Sequence, residues 1–526
     1  MWTVVFCLLF LLEGLIFIPY IGLQTDELLF GGAIYPPWNV SHLVRAGGHT
    51  FPTMILTYIG TLKSWLYRLL VFTVWPPSPW SVRLPVLLLG VASLWIFTEL
   101  IRRSAGARVA IVAVALLATD ASYVLTTCFD WGPVALQHLL LLAGTFAVWW
   151  FYRSGNRLAL AMGFFAFGLG LWDKALFVWS LAGLAAGAAV AFPRATLSTL
   201  RLRNLAVAAL ALSLGAAPLL LYNHDTGMRT FRDNARLSTT RFNYKVEVLR
   251  NTLEGSALFG YLVPEGAALA AAAPANPGEE LSLALSEATG HRRSGWLALA
   301  SILAFALLPW MWGSPARRPM LFAAVFMAVT WIQMALSQNG GTGAHHVVLL
   351  WPFPHLFVAV ALAQASRFFR RAGVPVLAVV TALICGSNLL VLNEHLAQVI
   401  ENGNTTLWTD AVSQLDEALE ATPARHVYVM DWGMFDVLRA LSRGVLPLED
   451  GPDVFLRDTE KKLPPEMLAR KDAIFLGHTE GNEINTGTAA RLEALGQSVG
   501  LRKQAVRVVN DRMGRPIFEL YRFERR

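Results

Sequence analysis

The sequence predicts a mainly α-helical, polytopic membrane domain of about eleven spans over residues 1–392, followed by an extracytoplasmic α/β domain over residues 393–526. Three observations favour this fold class. Charged residues make up 15% of the 526 residues and hydrophobic residues 55%, with a mean hydropathy of +0.48, whereas soluble domains are about 25% charged. The charge is also uneven, because the last quarter of the chain holds 21 of the 36 acidic residues. Finally, apolar runs of span length, separated by short basic loops, fill most of the first 392 residues.

This composition excludes several classes of protein. A disordered chain needs low hydrophobicity and high net charge, and a disulfide scaffold needs more cysteines than the scattered Cys7, Cys128 and Cys385. The formal net charge of +7 does not indicate a nucleic-acid partner, because the basic residues stand between apolar runs, where membrane topology explains them. We therefore expect the partner surface to be a lipid bilayer.

The spans follow from the length of the apolar runs. A bilayer core about 30 Å thick requires about 20 apolar residues per helix. The predicted spans cover residues 2–23, 84–101, 109–128, 134–152, 158–172, 175–192, 204–222, 296–312, 320–337, 346–364 and 374–392. The first run lacks the basic start and the small-residue cleavage site of a signal peptide, so it is interpreted as a retained span.

The loops between the spans predict the orientation. Thirteen arginines fall in alternate short loops that contain no acidic residue, and the positive-inside rule assigns such loops to the cytoplasm. The N-terminus is then cytoplasmic, and the outer loops 24–83 and 223–295 lie on the other side together with the C-terminal domain. Residues 267–278, rich in Ala, Pro and Gly, are predicted to be a flexible connection within the second outer loop.

Two stretches of these outer loops are predicted to lie along the membrane surface. Residues 51–75 are apolar but too interrupted to span, so we expect one or two interfacial helices. In the other loop, Arg229, Arg232 and Arg236 are spaced to share one helical face. Residues 242–253 then repeat apolar side chains at helical spacing beside basic ones, as in an amphipathic helix at anionic headgroups.

Carboxylates and cations meet in the outer loops. The candidate catalytic residues are Asp26, Glu27 and Asp130. The candidate substrate-binding residues are Lys63, Arg83, Lys174, Arg229, Arg232, His345 and His346. Transfer from a lipid-linked phosphosugar needs a general base beside the acceptor hydroxyl and fixed positive charge beside the departing phosphate, and this set supplies both.

Four sequence stretches carry a resemblance to a known family. They are Thr25-Asp26-Glu27 after the first span, YIGTLK at 58–63 with SVRLP at 81–85, FDWGP at 129–133, and GLGLWDK at 168–174. In order, spacing and common outward placement they resemble the GT-C glycosyltransferases of the protein O-mannosyltransferase and aminoarabinose-transferase kind. The resemblance covers residues 1–220, and residues 296–390 mainly by hydropathy. One departure is that the aminoarabinose transferases have a lysine where this chain has Gly47-Gly48-His49.

The resemblance implies a function as well as a fold. It implies a large helical membrane domain with a lateral lipid entrance, a polyprenyl-phosphate sugar donor, and Asp26 as catalytic base or acceptor-positioning residue. We therefore predict an inverting glycosyltransferase that modifies a hydroxyl of a protein, lipid or glycan on the non-cytoplasmic face of a plasma (inner) membrane. The alternatives are a transporter or flippase of a lipid-linked substrate, and a lipid-linked glycan polymerase or ligase.

Metal dependence and the C-terminal domain complete the predictions. No cofactor is expected, because the acids and histidines form no cluster at a diagnostic ligand spacing, although a divalent ion is the alternative.

Residues 393–526 contain neither a dinucleotide fingerprint nor a Walker loop, and Asp431-Trp432-Gly433 is either a substrate contact or a plain strand-to-helix turn. The predicted elements are helices at 407–421, 433–442 and 487–498 and strands at 426–430, 472–476, 503–509 and 516–523.

Overall fold

Helices build the first 402 residues of the computed structural model, which describes residues 1–264, 274–457 and 463–525. Most of the predicted connection 267–278 therefore lies outside the described residues. The helices of this part are α1 (Trp2–Phe17), α2 (Thr25–Gly32), α3 (Leu62–Leu66), α4 (Pro79–Ser104), α5 (Ala107–Ala118), α6 (Ala121–Cys128), α7 (Val134–Ser154), α8 (Arg157–Asp173), α9 (Phe177–Ala191), α10 (Pro193–Thr199), α11 (Leu202–Gly215), α12 (Ala217–Asp225), α13 (Arg229–Asn234), α14 (Phe242–Glu254), α15 (Pro277–Ala288), α16 (Leu297–Leu307), α17 (Arg317–Leu336), α18 (Ala344–Val347), α19 (Phe353–Ala365) and α20 (Gly373–Asn402).

Each predicted apolar run coincides with one or two of these helices, but the count of eleven spans stays a prediction. Within the described ranges, four helices are long and apolar enough to cross a membrane, or up to seven if each bent pair is one span. The difference has a structural reason. Helices α1 and α16 are short, with 16 and 11 residues, and the α5–α6 and α11–α12 pairs are bent by 60° and 72°.

The first outer loop differs from its prediction. After α2 the chain forms an antiparallel hairpin of β1 (His42–Ala46) and β2 (His49–Met54), and only then does the short helix α3 begin. Gly47 and Gly48 form the two-residue turn with φ of +57° and +78°, which suits the type I′ turn of hairpins. Since no atom lies within 4 Å of a Cβ built at either glycine, the position that departs from the family is an open loop tip.

The second outer loop confirms one predicted helix and corrects two details. Helix α14 matches the predicted amphipathic helix. Helix α13 ends at Asn234, so Arg236 does not extend the face of the two preceding arginines. Lys245 does not face headgroups, because its side chain is buried and donates hydrogen bonds to the carbonyl oxygens of Ala335 (3.0 Å) and Ser337 (2.5 Å) at the end of α17.

The C-terminal domain is an α/β unit in which all predicted elements are confirmed. They correspond to α21 (Ala411–Glu420), β3 (His426–Val429), α22 (Phe435–Leu441), β5 (Ala473–His478), α24 (Thr488–Ser498), β6 (Leu501–Asn510) and β7 (Pro516–Arg525), and the structure adds β4 (Leu448–Asp450) and α23 (Gly451–Phe455). The sheet order is β4-β3-β5-β7-β6, with β3 parallel to both neighbours and β7 antiparallel to both of its own. The predicted boundary after residue 392 falls inside α20.

The core of this domain extends into the membrane domain. Leu23 and Leu28, before and within α2, and Val82 of α4 belong to the same buried cluster as Leu415 and Val437 of the C-terminal domain. The region around α2 is therefore packed against both the helical part of the chain and the C-terminal domain.

Asp431 acts within its own domain. Its carboxylate accepts hydrogen bonds from His478 Nδ1 at 2.7 Å and from the backbone nitrogens of Ile484 (2.8 Å) and Asn485 (2.9 Å). These contacts favour the plain-turn interpretation of the segment after β3.

Candidate functional site

Asp26 lies in the first turn of α2. The side chain of Gln24 caps the helix by accepting a hydrogen bond from the Asp26 nitrogen at 2.6 Å. The Asp26 carboxylate is partly exposed, and its Oδ2 accepts a hydrogen bond from Trp131 Nε1 at 3.1 Å. Burial raises the pKa of Asp26, while Trp131 and the charge of Lys174 oppose the rise. A carboxylate tuned in this way suits a general base.

Glu27, the residue after Asp26, uses its carboxylate in a buried ion pair. Arg83 binds both carboxylate oxygens of Glu27, at 2.8 and 2.9 Å. The other N–H groups of Arg83 donate to the carbonyl oxygens of Ile18 (3.2 Å), Ile21 (2.6 Å) and Gly22 (2.7 Å). All five donors of the guanidinium are thus used, and none is left for a substrate phosphate.

Lys63 and Asp130 form a second buried pair. Lys63 Nζ makes an ion pair with Asp130 Oδ2, and the exposed fractions of the two side chains are 3% and 0%. The other oxygen of Asp130 accepts the backbone N–H of Ala135 at 2.9 Å and so caps the start of α7. The Lys63 ammonium also lies 4.5 Å from the centre of the Phe30 ring on α2. This pair joins α3, α7 and α2.

Among the candidate substrate-binding residues, Lys174 has the side chain best placed to bind a phosphate. It follows the last residue of α8, is 2% exposed, and interacts electrostatically with Asp26, Asp173 and Asp130. Burial lowers the pKa of Lys174 to about 8. The structure gives its ammonium no side-chain hydrogen bond or ion pair within the described ranges, and a Cβ on Gly132 would lie 3.2 Å from it. Lys174 is therefore a charge available for a ligand.

The two histidines stand on the other side of Trp131. The Trp131 ring is stacked on Tyr261 and lies tilted against His345, with ring centres 4.1 Å apart in both cases, and the His346 ring centre is 4.1 Å from that of His345. Burial lowers the pKa of His345 well below its ordinary value, so the ring is neutral at neutral pH. The histidines therefore contribute a wall of aromatic surface and not a fixed positive charge.

Two predicted residues lie apart from this group. Arg229 and Arg232 are exposed on α13, where Arg229 pairs with Asp233 at 3.0 Å and Arg232 donates to the carbonyl oxygen of Thr226 at 2.9 Å. Their helix is tied to the first outer loop, because Thr230 donates to the carbonyl oxygen of Thr57 at 2.7 Å.

Trp131, Tyr261 and Gln137 are site residues that sequence reasoning missed. Gln137 donates to Asp173 Oδ2 at 2.9 Å and to the carbonyl oxygen of Gly170 at 3.0 Å, and so holds the end of α8 beside Lys174. A polar side chain inside an apolar span is a signal that could have identified Gln137. Nothing local marks Tyr261, whose role depends on the stack with Trp131.

In the described part of the chain, no group of three or more His, Cys, Asp or Glu side chains is arranged to hold a metal ion. The site combines the partly exposed carboxylate of Asp26 with the buried ammonium of Lys174. Two buried ion pairs, Arg83–Glu27 and Lys63–Asp130, lie in the same region. Such an arrangement can accept a proton and stabilise a departing anion.

No protein-family model and no curated protein matches the chain, but solved structures do. ArnT from Cupriavidus metallidurans bound to undecaprenyl phosphate matches with a TM-score of 0.61 at 13% identity, covering 99% of this chain and 98% of that one. The apo state of that protein gives 0.56 at 13% identity, covering 99% and 97%. The apo oligosaccharyltransferase of Archaeoglobus fulgidus gives 0.51 at 12% identity, covering 91% of this chain and 69% of that one. This chain thus has the GT-C fold of these membrane glycosyltransferases along almost its whole length.

Proposed function

We propose that this chain is a membrane glycosyltransferase that moves a sugar from a polyprenyl-phosphate-linked donor to an acceptor hydroxyl of a protein, lipid or glycan. The observation that carries the proposal is a partly exposed carboxylate, Asp26, that interacts electrostatically with a buried ammonium, Lys174, which has no side-chain partner among the described residues, in a GT-C fold. The structure of ArnT with undecaprenyl phosphate supports a polyprenyl-phosphate donor, because that ligand is the carrier such a donor would release.

The reaction follows from these two groups. Asp26 accepts the proton of the acceptor hydroxyl as the hydroxyl oxygen attacks the anomeric carbon. The bond between that carbon and the phosphate oxygen breaks, and its electron pair leaves with polyprenyl phosphate, whose negative charge Lys174 stabilises. Attack on the face opposite the phosphate inverts the anomeric centre.

The remaining site residues have supporting roles in this proposal. The Arg83–Glu27 and Lys63–Asp130 pairs hold the helices that carry Asp26 and the loop that carries Trp131. His345 and His346 offer a neutral aromatic wall against which a sugar ring can pack. We assign Arg229 and Arg232 to contacts with lipid phosphate at the membrane surface, since both are exposed beside the first outer loop.

The membrane placement is part of the proposal. We place the protein in a plasma (inner) membrane with about eleven spans, a cytoplasmic N-terminus, and the site and C-terminal domain outside the cytoplasm. The arginine-rich loops support this orientation. Cysteine labelling from either side of the membrane, at Gly106 for the cytoplasm and at Gly481 for the outside, tests it.

The alternatives make different predictions. A transporter or flippase would move a labelled lipid-linked substrate in proteoliposomes without any acceptor. A polymerase or ligase would use a diphosphate-linked donor, so mass spectrometry of the lipid that co-purifies with the protein separates it from a monophosphate-dependent enzyme. Finding a polyprenyl monophosphate, together with loss of sugar transfer in Asp26→Asn, supports the proposal, whereas a bound diphosphate-linked glycan contradicts it.

A further inference from the structure

Helix α22 of the C-terminal domain packs directly on α2, the helix that begins with the Asp26 turn. Leu28 of α2 and Ile34 just after it share one buried cluster with Val437 and Leu438 of α22. The two helices come from opposite ends of the chain yet form one packing unit.

The contact is closest at Gly32, the last residue of α2. A Cβ at this position would lie 2.9 Å from the carbonyl oxygen of Asp436 and 3.0 Å from Arg439 Nε. Both distances are shorter than ordinary carbon contacts, so a side chain at Gly32 would force the helices apart. At Gly31, by contrast, a Cβ would meet only side-chain atoms, the nearest being the Phe72 ring at 3.4 Å.

Arg439 ties α22 to the segment that follows α2. Its guanidinium is fully buried and donates to Asp436 Oδ1 at 2.6 Å and to the carbonyl oxygen of Pro37 at 2.9 Å. Pro37 lies in the segment that follows α2. Truncation of Arg439 would leave the mostly buried Asp436 without its cation and the segment without its anchor.

The segment before α2 is held by the chain that leads into the C-terminal domain. The Gly22 nitrogen donates to the carbonyl oxygen of Trp408 at 2.9 Å, and Asn404 Nδ2 donates to the carbonyl oxygen of Tyr20 at 2.8 Å. Both ends of α2 are therefore located by residues beyond 402 in the sequence.

We propose that the C-terminal domain is a working part of the catalytic centre, in which α22 sets the position of α2 and Arg439 is a positioning residue for Asp26. The inference rests on the proposed function of Asp26 as the base. Arg439 touches no reacting atom and acts through α2. Since a displacement of about 1 Å at a reacting group can cost about 10²-fold in rate, loosening this contact reduces turnover while donor binding at Lys174 persists.

Charge provides a second link between the helices. Asp436 is partly buried, and its carboxylate interacts electrostatically with that of Asp26. Burial and the charge of Asp26 raise the pKa of Asp436 to about 6, while Arg439 opposes the rise, so the two carboxylates lie close enough to influence each other. The groups that act on the carboxylates are Gln24, Trp131 and Lys174 at Asp26 and Arg439 at Asp436, and Asp26 in turn acts on Tyr58 and Tyr261.

The test compares Gly32→Ala and Arg439→Gln with the matched variant Gly31→Ala. Turnover is followed as release of undecaprenyl phosphate from undecaprenyl-phosphate-linked aminoarabinose or mannose, with an extract of the producing cells as acceptor. Hydrogen exchange of the backbone amides of residues 25–32 is measured on the same full-length samples. We expect at least a tenfold loss of turnover, a donor KM within about threefold, and faster exchange in α2 for the first two variants, with at most a twofold loss for Gly31→Ala.

The outcomes separate the inference from the proposed function. An active wild type whose turnover and α2 exchange are unchanged by Gly32→Ala and Arg439→Gln overturns the inference. A wild type inactive with both donors, whose α2 exchange still rises in these variants, overturns the proposed function and supports the structural coupling. If Arg439→Gln does not fold, Gly32→Ala decides by the same measurements of turnover, donor KM and α2 exchange.

Discussion

The indole nitrogen of Trp131 donates a hydrogen bond to Oδ2 of Asp26 at 3.1 Å. Trp131 lies between α6 and α7, and Asp26 lies in the first turn of α2, so the bond joins two segments that are far apart in the chain. It is aimed at the oxygen that must stay ionised to act as a base, and it opposes the rise in pKa that burial imposes on Asp26. The same indole stacks on Tyr261, which fixes the direction of the donor.

Trp131→Phe keeps the stacked ring and removes the donor. The pKa of Asp26 then rises, because a hydrogen bond to a charged group contributes about 1.5–3 kcal/mol and one pKa unit corresponds to about 1.36 kcal/mol. We expect the acid limb of the pH–rate profile to move up by about one pH unit, with activity recovering at higher pH. The control is Trp331→Phe, whose buried indole nitrogen has no hydrogen-bond partner among the described residues. An unchanged acid limb contradicts the assignment.

Activity should also fall on the alkaline side. Lys174 must be protonated to stabilise phosphate, and burial lowers its pKa to about 8. Above that pH the ammonium loses its proton, so kcat/KM declines even though Asp26 remains ionised. Lys174→Arg moves this decline to higher pH, and Lys174→Met removes about 10²–10³-fold of activity. The exposed Lys471→Met is the control, and an alkaline limb that persists in Lys174→Arg contradicts the role.

The Arg83–Glu27 pair should matter for stability. Both side chains are fully buried, and removing one partner of such a pair costs about 3–5 kcal/mol, whereas removing both costs less. Arg83→Met is therefore expected to lower the free energy of unfolding, measured by SDS titration, more than the double variant Arg83→Met with Glu27→Met. A double variant less stable than the single one argues against the pair as the cause.

A small change in the first outer loop should displace Lys174. A Cβ on Gly60 would overlap the carbonyl oxygen of Trp172, next to the backbone hydrogen bond from the Gly60 nitrogen to the Asp173 oxygen at 3.1 Å. Gly60→Ala thus pushes the loop from the end of α8 and is expected to reduce kcat/KM by at least tenfold in folded protein. Gly313→Ala is the control, since no atom lies within 4 Å of its Cβ position.

Local patterns predict the elements of this protein well. The alternation of helices and strands after residue 402 is confirmed, because each strand and helix there has its own hydrophobic period. The first outer loop is less well predicted, since residues 51–75 are apolar enough to suggest interfacial helices, while a glycine pair just before them makes the hairpin turn.

Long-range contacts set the limit of what the sequence could predict for the site. Lys63, Asp130 and Lys174 could be expected in one place because their loops share a side of the membrane. The use of all five N–H donors of Arg83 could not be predicted, since three of them bind the backbone carbonyl oxygens of Ile18, Ile21 and Gly22. The same is true of the contact between α2 and α22, for which no local pattern pairs Gly32 with Arg439.

The most direct test of the central claim is sugar transfer by Asp26→Asn. Asparagine keeps the shape and the hydrogen bond to Trp131 but cannot take a proton at neutral pH. The account predicts a loss of about 10²–10⁴-fold in kcat, with unchanged binding of undecaprenyl phosphate and unchanged thermal stability, while the exposed Asp233→Asn stays active. Transfer at the wild-type rate by Asp26→Asn would contradict it.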